Sequence, residues 1–197
     1  MKHVALIGKA RSGKDTVAGL LVRHASYTRL AFADRLREAA LRVNPIISTR
    51  FSGGDDFALR LARAVEIYGW ERVKENFPEV RRFLQNYGQT VREMDPDFWV
   101  RPVAEQVWQG TRLNMPCVVS DVRYMNEVET LRELGAMVVR VTRPGAGLSG
   151  DAAQHSSETE LDELVADYDI YNGGTLDELR GTVASLYFSH LAESVTT

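Results

Sequence analysis

Nine residues near the start of the chain, Gly8-Lys9-Ala10-Arg11-Ser12-Gly13-Lys14-Asp15-Thr16, constrain its fold more than any other feature. They directly follow a short apolar run, Val4-Ala5-Leu6-Ile7, and lead into a helical stretch, Val17–His24. The run stops at Gly8 and has the character of a parallel strand buried on both faces. A strand, a loop with two glycines and a lysine, and a helix, in that order, make a P-loop. The glycines let the backbone wrap a polyphosphate. Several N–H groups and the helix N-terminus then point at the anion, and Lys14 brings a mobile positive charge to its terminal phosphates.

Asp15 stands where a P-loop normally has Ser or Thr to offer Mg²⁺ a hydroxyl, and Thr16 comes one place later. Mg²⁺ prefers oxygen ligands and keeps several waters, so the Asp15 carboxylate could hold the ion directly or through water. A favourable charge on the first turn of a helix is the other reading of Asp15. A second acid ends an apolar strand in Pro116-Cys117-Val118-Val119-Ser120-Asp121. At the carboxyl end of a neighbouring strand, Asp121 would orient Mg²⁺ or its water; the alternative is a cap for the helix that begins near Arg123. Arg123, Asn126 and Glu127 would then lie on the first turn of that helix. There Arg123 could clamp a phosphate bidentately, and Glu127 could instead serve as a helix-start acid.

Besides Val4–Ile7, strands are expected at Thr28–Ala33, Cys117–Ser120, Met137–Val141 and Tyr168–Tyr171, mostly separated by helical periodicity. Strands alternating with helices indicate a parallel sheet. Val80, Leu84, Tyr87 and Val91 form an apolar helical stripe started by Pro78. Tyr124, Val128 and Leu131 form another, ended by Gly135, and a last helix should run from Leu176 toward Leu191. Residues 34–115 are far more than one crossover needs, and they read as a helical insertion. Within it Asn44–Asp56 is expected to be loop, followed by helices near 57–76, 79–93 and 97–109. Arg81, Gln85, Gln89 and Arg92 share one face of the middle helix, either as a solvated stripe or to read a base edge and a phosphate. Residues 143–160, rich in Gly, Ala and Ser, suit a mobile loop over a site. In it His155 and Glu158 lack the further ligands a zinc site needs and are assigned to lid contact or capping.

Composition narrows the class. The chain has 197 residues, 44% hydrophobic and 26% charged, as expected of a folded domain. At this length roughly 70% of the unfolded surface can be buried, so no disulfide is needed, and the single cysteine, Cys117, offers none. With 24 Lys and Arg against 27 Asp and Glu, the net charge of −3 argues against a surface devoted to nucleic acid. No apolar run approaches the ~20 residues that span a bilayer, and Val4–Ile7 is too short for a signal-peptide core. The expected setting is the cytoplasm.

Five blocks together resemble one known family. They are Ser12-Gly13-Lys14-Asp15-Thr16; Leu30-Ala31-Phe32-Ala33-Asp34 with Leu36-Arg37; Asp121-Val122-Arg123 with Asn126-Glu127; Val139-Arg140-Val141 with Arg143-Pro144-Gly145; and Tyr168-Asp169-Ile170-Tyr171-Asn172 before Gly174-Thr175-Leu176. This pattern is similar to the bacteriophage deoxynucleoside monophosphate kinases over nearly the whole length, most loosely in the insertion. The resemblance implies an α/β, three-layer P-loop NTPase fold with a five-stranded parallel sheet, a helical substrate-binding insertion and a short lid. It also implies transfer of the terminal phosphoryl group of ATP to a deoxynucleoside monophosphate, with Mg²⁺ as the metal.

By motif match, Gly8 and Arg11 through Thr16 would hold ATP, and Asn172, Gly173 and Gly174 would lie near its base. Asp34, Leu36 and Arg37 would line the monophosphate site, which Gln85, Arg92, Arg123, Asn126, Glu127 and Arg143 would complete. Catalysis would fall to Lys14, Asp15, Arg11, Asp121 and Arg123, and Mg²⁺ to Asp15, Thr16 and Asp121. Members of the family can carry a lysine immediately before Arg11; here Ala10 stands there and Lys9 comes one place earlier. A homodimer is compatible with this reading, and a phage-encoded chain would act in the host cytoplasm. Competing readings are another small-molecule kinase, acting on phosphomevalonate or dephospho-coenzyme A, and an ATP-binding switch without kinase activity.

Overall fold

The structure, a computed structural model, describes residues 1–52, 55–147 and 160–192. In chain order the elements are β1 (Val4–Ile7), α1 (Lys14–Ala25), β2 (Thr28–Leu30), α2 (Phe32–Val43), β3 (Ile46–Ser52), β4 (Asp55–Arg60), α3 (Leu61–Asn76), α4 (Pro78–Met94), α5 (Val100–Arg112), β5 (Cys117–Val119), α6 (Met125–Glu133), β6 (Met137–Thr142), β7 (Tyr168–Tyr171) and α7 (Leu176–Leu186), which runs on into a π-helical turn, Tyr187–Leu191. Two compact units result. One comprises Met1–Phe32 and the chain from Val100 onward, the other Ala33–Trp99.

The first unit is built on a five-stranded parallel sheet in the order β2-β5-β1-β6-β7. All four β1 residues are buried because both of its neighbours are strands and both of its faces are covered. Val4 and Leu6 pack with α1 and α7 through Val17, Leu21, Leu179 and Val183. Ala5 and Ile7 face the other way, onto Val103 and Val107 of α5 and Val128 and Leu131 of α6. Three layers follow. β1 and β5 are adjacent, yet α1 and α6, the helices that follow them, lie on opposite faces. Such a divergence opens a crevice at the carboxyl ends of the two strands, where open α/β sheets bind ligands.

β2 is shorter than expected. The chain turns after Leu30, and Phe32 opens α2 with its N–H donated to the Asp121 carboxylate at 2.9 Å. Beyond β6, the expectations for His155 and Glu158, and most of the loop 143–160, fall outside the described residues.

The second unit holds α3, α4 and a two-stranded antiparallel sheet of β3 and β4. The expectation of loop over Asn44–Asp56, and of a helix already begun at 57, is corrected by this sheet. Ile46, Ile47, Thr49 and Phe51 on one side of Gly53-Gly54, and Phe57 and Leu59 on the other, are the β-branched, aromatic and apolar residues of a hairpin. α3 is broken at Gly69, whose φ of 73° and ψ of 159° interrupt the helix. α4 begins with Pro78 and buries Val80 beside Leu61, Ala64 and Val73. Tyr87 stacks on Phe83 at 5.7 Å, and the indole N–H of Trp99 donates to the Gly88 carbonyl at 3.1 Å. The helix expected near 97–109 is α5; it packs in the first unit, so the compact second unit ends at Trp99 and not at 115.

Candidate functional site

Gly8 leaves β1 with a φ of 133°, and a Cβ there would stand 2.2 Å from the Val141 carbonyl of β6, so only glycine fits. The chain then turns tightly: Ser12 N–H donates to the Lys9 carbonyl at 3.3 Å, with Arg11 in the left-handed region at φ 64°. Gly13 is the N-cap of α1 and contributes no side-chain cap. The first N–H groups of α1 thus meet an end with the partial positive charge of a helix N-terminus, a natural place for an anion. Lys14 is buried and folded back into the loop, its Nζ donating to the carbonyls of Gly8 at 2.6 Å and Lys9 at 2.9 Å.

Beside the loop lies a cavity of about 210 Å³, lined by Gly8, Lys9, Ser12, Arg123, Arg140, Thr142, Arg143, Leu161 and Asp162 among others. The structure therefore brings together the loop, Arg123 and Arg143. It adds Arg140, Thr142 and Asp162, none of which the sequence singled out for this role. Arg140 had a visible signal, an arginine inside the apolar strand Met137–Thr142. Its guanidinium donates to the carbonyls of Leu161, Asp162 and Leu164 and so fixes the turn forming one wall. Lys9 is paired with Asp162 at 2.5 Å.

The expected metal-linked residues Asp15, Thr16 and Asp121 are all oxygen donors. Asp15 is largely exposed, 3.7 Å from Arg29, and Thr16 is exposed beside it. Asp121 holds the Phe32 N–H, and the neighbouring Ser120 hydroxyl is buried with no hydrogen-bond partner among the described residues. The Ser12 hydroxyl is likewise buried with no hydrogen-bond partner among the described residues. Two unsatisfied buried hydroxyls and an acid at the ends of β1 and β5 suit a hard cation that takes oxygen and water ligands.

Glu127, expected at the substrate or at the helix start, caps its own helix. It is 1% exposed, and its Oε2 accepts the N–H groups of Arg123 at 2.8 Å and Tyr124 at 3.2 Å. This is the helix-start role; Asn126, on the same turn, is half-buried. Asn172 is also buried, its Nδ2 donating to the Ser12 carbonyl at 2.8 Å, while Gly173 and Gly174 are exposed beyond it.

The remaining expected residues belong to the second unit. Arg37 lies 3.3 Å from Asp34, 3.8 Å from Glu71 and 5.8 Å above the Trp70 ring. A hydrogen bond from Lys74 holds the Glu71 carboxyl below the usual carboxylate range against partial burial, and the charges of Lys74, Arg37 and Arg81 add to this. Leu36 packs against Gly88 of α4. Gln85, Gln89 and Arg92 are half-buried and Arg81 exposed, so the polar stripe of α4 is only partly solvated.

The sequence profile of a family described as deoxynucleotide monophosphate kinase matches residues 63–183, more than half of the chain. A protein of Acanthamoeba polyphaga mimivirus that carries the provisional name deoxynucleotide monophosphate kinase is 28% identical over 206 residues, covering 94% of this chain and 95% of its own. An uncharacterized protein of Ictalurid herpesvirus 1, ORF77, is 29% identical over 171 residues, covering 84% of this chain and 72% of its own. Among solved structures, dephospho-CoA kinase from Campylobacter jejuni superposes with a TM-score of 0.53 at 15% identity, covering 95% of this chain and 96% of that one. The last likeness is one of fold, the α/β P-loop architecture of a kinase.

Proposed function

Because the chain belongs to the deoxynucleotide monophosphate kinase family, we propose that it transfers the γ-phosphoryl group of ATP to the phosphate of a deoxynucleoside monophosphate, giving ADP and the diphosphate. One observation carries the reading: the loop Gly8–Thr16 opens at an α1 N-terminus that its Gly13 N-cap leaves without a side-chain cap, beside a cavity walled by Arg123, Arg140 and Arg143.

In this reading the loop amides, Arg11 and Lys14 bind the ATP phosphates. An acceptor phosphate oxygen attacks the γ-phosphorus as the bond to the β–γ bridging oxygen breaks, and no side chain need act as nucleophile. Catalysis is positioning and charge stabilisation. Lys14 leaves its carbonyl partners to follow the charge that builds on the transferring group. Arg123 and Arg143 hold the two anions in line against their mutual repulsion. Asp34, Leu36, Arg37, Gln85 and Arg92 recognise the acceptor, with Arg37 oriented by its acids and by Trp70. Asp15, Thr16 and Asp121, joined by the Ser120 hydroxyl, would hold Mg²⁺, which when bound neutralises phosphate charge. Asp121 keeps its carboxylate oriented through the Phe32 N–H.

The test is incubation of the purified protein with ATP and, separately, each deoxynucleoside monophosphate, phosphomevalonate and dephospho-coenzyme A, with products separated by anion exchange. Deoxynucleoside diphosphate is expected. Product from either of the other two acceptors alone would move the assignment to another small-molecule kinase.

A further inference from the structure

We propose that Asn172 is a positioning residue of the phosphate loop, whose carboxamide sets the Ser12–Gly13 peptide so that the Gly13 N–H is presented to bound polyphosphate. The inference rests on the reading that this loop binds the ATP phosphates. Asn172 follows β7 directly, and its own N–H donates to the Thr142 carbonyl at 2.7 Å, so its backbone is anchored by the sheet. The residue is 8% exposed, and Nδ2 donates to the Ser12 carbonyl at 2.8 Å. Only the NH₂ end of a carboxamide can donate, so an acceptor carbonyl fixes which end faces the loop. The Ser12–Gly13 peptide is trans, and in a trans peptide C=O and N–H point in opposite directions. Holding the Ser12 oxygen against Asn172 therefore turns the Gly13 N–H away from the protein interior that Asn172 occupies.

The loop is poorly suited to keep this orientation alone. Arg11 and Gly13 both lie at positive φ, and the Ser12 hydroxyl, buried nearby, has no partner among the described residues. The fit also explains Gly13 beyond its backbone angle, since a Cβ there would stand 2.3 Å from Asn172 Nδ2. Asn172 thus works from beneath the loop and not at the base of the nucleotide.

The experiment compares wild type with Asn172→Leu, which keeps side-chain bulk and removes the donor. Calorimetric binding of inorganic tripolyphosphate and of ATP is followed by a two-substrate kinetic matrix. Misorienting a charge-assisted hydrogen-bond donor should weaken binding about tenfold or more and raise the KM for ATP, with the KM for the deoxynucleotide unchanged. Binding within twofold of wild type overturns the inference while leaving the ATP reading intact. No binding to the wild type removes that reading, and this inference with it. If Asn172→Leu does not fold, the Gly13 amide resonance of the wild type decides. On tripolyphosphate addition it should shift more than the amides of the middle of α1, and a Gly13 amide that does not move overturns the inference.

Discussion

Lys14 Nζ lies 2.6 Å from the carbonyl oxygen of Gly8, so its positive charge is held inside the loop. Its second partner is the Lys9 carbonyl. Both acceptors are neutral, and a phosphate oxygen outcompetes them because it adds a full negative charge opposite the ammonium, a Coulomb attraction that a carbonyl dipole lacks. Replacement by alanine should lower turnover about 100-fold or more, the scale of losing one charge-stabilising donor. Far-UV dichroism should stay that of the wild type. More than about a tenth of wild-type turnover would remove Lys14 from the transition state.

Asp15 separates a metal role from a helix-charge role. Its side chain is 85% exposed and lies 3.7 Å from the Arg29 guanidinium. As an N-terminal helix charge it is worth only about 0.3–1 kcal/mol. We expect Asp15→Asn to raise the Mg²⁺ needed for half-maximal rate with little change in the unfolding midpoint. A Mg²⁺ titration that superimposes on the wild type decides for the helix charge.

Arg37 and Arg123 should act on the acceptor side. Alanine at either is expected to raise the KM for the deoxynucleotide or lower kcat by about tenfold or more, ~1.4 kcal/mol or greater for a charge-assisted hydrogen bond. The KM for ATP should hardly change. If ATP affinity falls and acceptor kinetics do not, these arginines belong to the donor. Arg92 is expected to give the smaller effect, since α4 is partly solvated on that face.

His3 gives the first unit a pH dependence. It is 5% exposed, its Nδ1 accepts the Cys117 N–H at 2.9 Å, and Nε2 lies 2.8 Å from Thr111 Oγ1. Burial, and then the nearby N-terminal amine, lower its pKa below 6.5. The unfolded chain therefore takes up the proton first. Stability is complete above the unfolded value and is lost as pH falls from there toward the lower folded value. Thermal unfolding between pH 7.5 and 5.5 should show the midpoint falling, and His3→Gln should flatten that slope. A parallel pH profile in the variant would assign the fall to other groups.

The parts of this molecule legible in its sequence are those where a local pattern alone decides the outcome. Val4–Ile7 and Tyr168–Tyr171 appear as strands at their expected bounds because each is a short run ended by a polar residue or glycine. The loop that follows β1 needs only its two glycines and Lys14 to be recognised. Residues 46–60 mislead because Asn44-Pro45 before them and Ser52-Gly53-Gly54 within them have the composition of loop. Glu127 leaves two readings open, and only its contacts with the Arg123 and Tyr124 amides choose between them. The Asn172 hydrogen bond spans 160 residues of sequence. No local pattern encodes such a pairing, which depends on β7 lying at the sheet edge next to β6.

Phosphoryl transfer is read most directly from the stoichiometry of its products. Wild-type protein, ATP, Mg²⁺ and a deoxynucleoside monophosphate would be followed by ³¹P NMR until ATP is consumed. One deoxynucleoside diphosphate should form for each ADP, with no inorganic phosphate, and no ADP should form when the acceptor is omitted. ADP and inorganic phosphate appearing together, with the monophosphate untouched, would contradict it and leave an ATP-hydrolysing protein instead of a kinase.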